Sequence, residues 1–130
     1  MSTAARDLDK EISTANSLAP AARTSSTNGT GVDLAGFHKA AVLFVVGAIT
    51  DGTHTFSVEE SDSSGSGYTA VAAADLSGTP GAATANTNQE IGYLGTKRYI
   101  RAVTTITGSP STGGVYSAVV VRAGARTLPQ

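Results

Sequence analysis

The side chains best suited to moving a proton near neutral pH are two histidines, and each has an acid close by in sequence: His38 follows Asp33, and His54 follows Asp51. A hydrolytic site would also need a nucleophile. Ser64-Gly65-Ser66-Gly67 sits in a loop between two expected strands, whereas a nucleophile elbow needs a strand-to-helix turn, so no triad is expected. Glu59-Glu60-Ser61-Asp62 and the Ser/Gly run after it supply oxygens for calcium but lack the alternating acids and closing glutamate of a calcium loop. The stretch reads instead as a solvated tip. Gly65-x-Gly67 has neither the third glycine nor the helix of a dinucleotide fingerprint. Lys97-Arg98-Tyr99-Ile100-Arg101 mixes bases with an aromatic, as nucleic-acid platforms do, yet strand alternation sends Arg98 and Arg101 to opposite faces. These residues imply no reaction, so the sequence predicts a non-enzymatic protein with no cofactor and no metal.

Composition narrows the classes further. The 130 residues fit one domain that can bury a core unaided, and the absence of cysteine removes disulfides and thiolate zinc sites while leaving the compartment open. The longest apolar run, residues 40–46, is one strand long, far short of a bilayer span, so no membrane association is expected. The opening MSTAARDLDKEIS mixes acids with bases and has no apolar signal core, which makes the Asn28-Gly29-Thr30 glycosylation match a chance one. A net charge of −1 argues against direct nucleic-acid binding.

That charge is unevenly spread. Residues 33–75 hold six acids against Lys39, a net −5, and residues 88–130 hold five bases against Glu90, a net +4. Thirds of opposite sign suit strand pairing within the chain or head-to-tail contact between copies, and internal pairing is the simpler expectation.

The elements that must carry these residues are β. Residues 39–48 read as a strand apolar on both sides, with Val42, Phe44 and Val46 on one face and Leu43 and Val45 on the other, a pattern that predicts burial of both. Asp51-Gly52 signals a hairpin turn into residues 54–61, where Phe56 and Val58 alternate with Thr55, Ser57 and Glu59. Further strands are expected at 31–34, 68–72, 89–93, 97–107 and 115–123, with 76–87 a loop and 108–114 a hairpin loop. Ahead of them, Ser2 can cap a two-turn helix with Ala4, Leu8 and Ile12 on one face, followed by an irregular or extended arm through Pro20. The predicted fold is all-β, a single antiparallel β-sandwich or jelly roll of about seven or eight strands, with an N-terminal arm over 1–29 and the sandwich domain over 30–130.

Over roughly residues 14–124 the chain resembles small virion proteins of tailed bacteriophages. The segments that carry the likeness are Gly31-Val-Asp-Leu-Ala-Gly-Phe, Ile91-Gly-Tyr-Leu-Gly-Thr-Lys-Arg-Tyr-Ile-Arg and Gly113-Gly-Val-Tyr-Ser-Ala-Val-Val-Val, with residues 94–101 the most specific. The resemblance implies a head decoration, or cement, protein: made in the host cytoplasm, bound to the major capsid protein on the outer surface of the virion, homotrimeric, and stabilising the assembled head. It carries over no catalytic residue. Two other stations suit the same features: a tail, neck or spike module of the particle, and a glycan-binding β-sandwich adhesin. The latter rests on a likeness of the strands at 56–71 and 97–103 to discoidin-type modules and is weakened by the absence of Trp. Interface candidates follow from residue type. Leu8 and Ile12 are apolar on a segment too short for its own core and are expected to bury against the domain or another chain. Arg98, Arg101, Arg122 and Arg126 are the expected partners of carboxylates, since guanidinium suits bidentate pairing.

Overall fold

The computed structural model describes residues 8–125 of the chain. Ten strands form two antiparallel sheets: β1 (Ile12–Arg23), β2 (Thr27–Asn28), β3 (Val32–Asp33), β4 (Phe37–Ile49), β5 (Thr53–Ser61), β6 (Thr69–Ala70), β7 (Leu76–Ser77), β8 (Gln89–Tyr93), β9 (Tyr99–Thr107) and β10 (Gly114–Ala125). One sheet runs β1-β10-β4-β8-β7; the other runs β2-β9-β5-β6, with β3 also paired to β9. Their inner faces share one core, a sandwich-like arrangement in which Val42, Phe44, Ile91, Tyr116, Ala118 and Val120 meet Phe56, Val58, Ile100 and Ala102. Phe44 stacks on Phe56 across the gap with ring centres 4.4 Å apart, and Tyr116 meets Phe56 edge-on at 5.0 Å. Aromatic contacts of this kind contribute about 0.5–1.5 kcal/mol each beyond the area they bury.

Both runs expected to fold as hairpins do something else. β4 and β5 lie in different sheets, and so do β9 and β10, so Asp51-Gly52 and residues 108–114 are crossings between sheets. The reason is the inner faces: Phe44 and Phe56 must meet across the core, and Tyr116 must meet both His54 and Phe56, which lateral pairing of neighbours would prevent. The two crossings are laced together by Asp51, whose carboxylate accepts the backbone N–H of Ser111 at 2.9 Å, of Thr112 at 3.2 Å and of Gly113. Gly113 can be nothing larger: its φ is +79° and an added Cβ would run into the Arg23 carbonyl.

The two-turn helix is corrected for its described part. Leu8–Lys10 is a 3-10 turn, and from Ile12 the chain is strand, antiparallel to β10 with Ile12 opposite Ala123. An isolated two-turn helix cannot recover its nucleation cost, whereas an edge strand gains a ladder and a half-buried face. Residues 2–7 of the expected helix lie outside the described residues. Much of the extended arm is therefore sheet. After Asn16 the β1 register shifts, and this bulge turns both Ser17 and Leu18 inward. The Ser17 hydroxyl then donates to the Thr30 carbonyl and accepts the Ala102 N–H, each at 2.8 Å, tying β1 to β9 of the other sheet. Gly29 makes that approach possible, because a Cβ there would lie 2.5 Å from the Ala102 oxygen.

Candidate functional site

The residues with chemical potential are spent on structure. His54 is buried; its Nε2 lies 3.0 Å from the Asp51 carbonyl, and its Nδ1 lies 2.8 Å from the Tyr116 hydroxyl, which is in turn 2.8 Å from Thr104 Oγ1. A carbonyl only accepts, which fixes the rest of the chain of bonds: Nε2–H donates to Asp51, Tyr116 donates to Nδ1, and Thr104 donates to Tyr116. Burial raises the pKa of the Tyr116 hydroxyl, keeping it a donor. The Asp51 carboxylate faces the 111–113 loop rather than the imidazole, and those loop N–H groups, Gly113 first, hold its pKa low. His38 is exposed on β4.

The acids of 59–62 are dispersed in the same way. Glu59 takes Arg101 (Nε to Oε1, 2.8 Å), Glu60 accepts from the Tyr93 hydroxyl at 2.6 Å, and Asp62 takes Lys97 at 3.0 Å. Among the described residues no cluster of three His, Asp or Glu is placed to hold a metal ion.

These pairs account for much of the charge asymmetry. Arg98 grips Asp33 bidentately, with both bonds 2.9 Å, and Arg101 lies over the Tyr68 ring at 4.1 Å while bonded to Glu59. The guanidinium of Arg98, helped by the Ala35 N–H, holds the Asp33 carboxyl at about 2, below its ordinary 3.8. Lys97, Arg98 and Arg101 of the basic third thus meet Asp62, Asp33 and Glu59 of the acidic one, because β9 lies between β3 and β5. A groove of about 540 Å³ lined by Phe37, His38, Lys39, Tyr93, Lys97 and Arg98 is consequently less cationic than its composition suggests.

The remaining interface candidates fall in three places. Arg122 donates to the Asp33 carbonyl at 3.0 Å and to the Ser13 hydroxyl at 2.9 Å, with its guanidinium over the Phe37 ring at 4.9 Å. It closes one end of the sandwich without a carboxylate within ion-pair distance among the described residues. Arg126 lies outside the described residues. Leu8 and Ile12 do come together: with Glu11, Lys39, Ala123 and Gly124 they line a hollow of about 240 Å³, where Ile12 is half-buried and Leu8 remains 62% exposed.

That hollow opens onto the most unusual surface of the molecule. On the β2-β9-β5-β6 sheet the outward positions include Thr53, Thr55, Ser57, Thr105 and Thr107 with the Glu59–Arg101 pair, and the one aliphatic side chain among them, Val103, is buried, so the exterior is largely polar as expected of an antiparallel sheet. On the other sheet the outward positions are Ala41, Leu43 and Val45 of β4 beside Val115, Ser117, Val119 and Val121 of β10, in which Ser117 is the one polar residue and is buried. The expected burial of the second face of β4 is corrected here: Val42, Phe44 and Val46 are buried, Leu43 is only half-buried and Val45 is 39% exposed, because within this chain no layer packs on that side. Val115 (45%) and Leu94 (61%), the latter following β8 in the same phase as Glu90 and Gly92, extend the surface. Together with Leu8, these are all the large apolar side chains that stand exposed among the described residues. None of Val45, Leu94 and Val115 stood out in the sequence as an interface residue, although apolar residues in both phases of β4 and β10 were the available signal.

Comparison with protein-family models, with curated proteins and with solved structures finds no match to this chain.

Proposed function

We propose that this chain is a structural, non-enzymatic protein of a tailed-phage particle, a decoration protein that binds the major capsid protein on the outside of the assembled head and stabilises it. One observation supports the docking part of this reading: the outer face of the β1-β10-β4-β8-β7 sheet presents Leu43, Val45, Val115, Val119 and Val121 side by side, a surface suited to burial against protein. The phage assignment draws on the resemblance of residues 14–124, whose most specific stretch, 94–101, runs from the edge of this face into β9. With it go two finer readings, that the sandwich is of the jelly-roll type and that residues 1–29, although their described part is largely sheet, act as an arm. The side-chain geometry is compatible with a passive role, since the histidines and acids best placed for catalysis are bonded to core, loop or arginine partners or stand alone. The test is incubation of purified protein with expanded heads of the same phage lacking it. Saturable binding at fixed stoichiometry is expected, and absence of binding at every lattice site would overturn the assignment.

A further inference from the structure

We propose that the apolar outer face of the β1-β10-β4-β8-β7 sheet pairs two copies of this chain about a two-fold axis. The inference rests on the reading of that face as a protein contact, and names its occupant in the free chain, before any head is met, as a second copy.

The reason lies in the two charged residues that the strands of this face carry. In the outward phase of β1, β10, β4 and β8 the charges are Lys39 and Glu90; everything between them is apolar or small. Neither residue belongs to an ion pair among the described residues, although most of the chain's other described acids and bases do or are bonded to backbone. The register fixes their relation. Lys39 pairs with Ala123, Ala41 with Val121 and Gly92, and Leu43 with Val119 and Glu90. Glu90 therefore stands four residues along the strands from Lys39, about 13 Å, and one strand over, about 5 Å.

Two identical charge-bearing faces can meet in few ways that bury the valines and satisfy both charges. A two-fold axis lying between the sheets and crossing the strands at the Ala41–Val121 row exchanges the Lys39 row with the Leu43 row. Lys39 of each copy then sits above Leu43 and Glu90 of the other. The operation produces two equivalent ion pairs, one on each side of the Ala41–Val121 row, as an isologous contact requires. Gly92 and Ala41 lie at the axis row, where small side chains let the sheets approach to the roughly 10 Å spacing of stacked sheets. The Val45 end of one copy is carried over the Leu94 and Lys39 end of its mate, so exposed apolar residues at opposite ends of the face meet. A head-to-tail arrangement would leave one lysine and one glutamate unpaired at its ends. Two-fold pairing also departs from the trimer that the phage resemblance implies, which makes mass a decisive observable.

The experiment is sedimentation equilibrium of the isolated chain, with no head present, so that failure to bind heads and failure to pair are separate results. The wild-type chain should sediment at twice its 13.0 kDa mass, with dissociation promoted by salt. Lys39→Glu and Glu90→Lys should each weaken the dimer about tenfold or more, and the double exchange K39E/E90K, which keeps the net charge, should restore it. Both positions are exposed, and circular dichroism of each variant checks that the fold is retained. A monomer at millimolar concentration, a trimer, or a dimer whose strength ignores the charge reversals would each overturn the proposal.

Discussion

Removing one hydroxyl from the core should cost this protein a large share of its stability. In Tyr116→Phe the ring remains against Phe56 and His54, so little packing is lost, but two buried groups lose their partner: His54 Nδ1, which accepts from Tyr116, and Thr104 Oγ1, which donates to it. Both residues are 1% exposed or less, so water cannot replace the bond without opening the sandwich. Each orphaned buried group costs about 1–3 kcal/mol, which puts the substitution, with two such groups, at about 2–6 kcal/mol. That is a major part of the roughly 5–15 kcal/mol available to a domain. Thr104→Val removes only the donor end, leaving Tyr116 bonded to His54, and should cost about 1 kcal/mol. In Y116F/T104V the threonine hydroxyl is no longer there to be orphaned, so the double variant should be more stable than the sum of the single losses predicts, by about 1 kcal/mol. Urea unfolding followed by circular dichroism measures all three. A Tyr116→Phe loss below about 0.5 kcal/mol, or strict additivity in the cycle, would refute the bonded chain from Thr104 to Asp51.

Two further predictions follow from polar geometry. Ser17→Ala strands the Ala102 N–H between the sheets and should cost about 1–3 kcal/mol in urea unfolding, whereas alanine at the exposed neighbour Asn16 should change stability by less than about 0.5 kcal/mol. Stability should fall as pH drops from about 4 towards 2. The Asp33 carboxyl titrates at about 2 in the fold against 3.8 ordinarily, so its contribution is complete above its ordinary value and is lost as pH falls through the lower one; Asp51 is lowered too and acts in the same direction. Asp33→Asn should reduce the fall of the urea midpoint between pH 4 and 2, leaving the part due to Asp51, and a variant as acid-sensitive as the wild type would contradict the Arg98 assignment.

Element positions were largely legible in the sequence, and sheet membership was not. β8 matches the expected 89–93, and β4, β5, β9 and β10 lie within two residues of their expected limits. Apolar alternation specifies a strand and its inner face, and His54–Phe56–Val58 illustrates it. It does not say whether the next strand pairs sideways or crosses the core, so Asp51-Gly52 and 108–114 read as hairpins. The three unforeseen strands have separate causes: β2 and β7 are two residues long, and β1 is broken by the bulge at Ser17 and contains Pro20. At the candidate site, the opposite-signed thirds foretold Arg98–Asp33, Arg101–Glu59 and Lys97–Asp62, since charge complementarity survives ignorance of topology. The apolar outer face was present in the sequence as the second phase of β4. The sequence pattern implies core there because a strand apolar on both sides is normally covered on both, and one chain's sequence does not show what covers it from outside.

Whether that face is a working protein contact is best decided on the particle. Val45→Lys places a charge at an exposed position of the apolar face while leaving the buried phase of β4 untouched, and should change unfolding stability by no more than about 1 kcal/mol. Binding of wild-type and Val45→Lys protein to undecorated heads should then show saturation at fixed stoichiometry for the first and loss of binding by about tenfold or more for the second, as for a charge buried without a partner in an interface. Equal binding by the two proteins, or none by the wild type, would contradict the role given to this face.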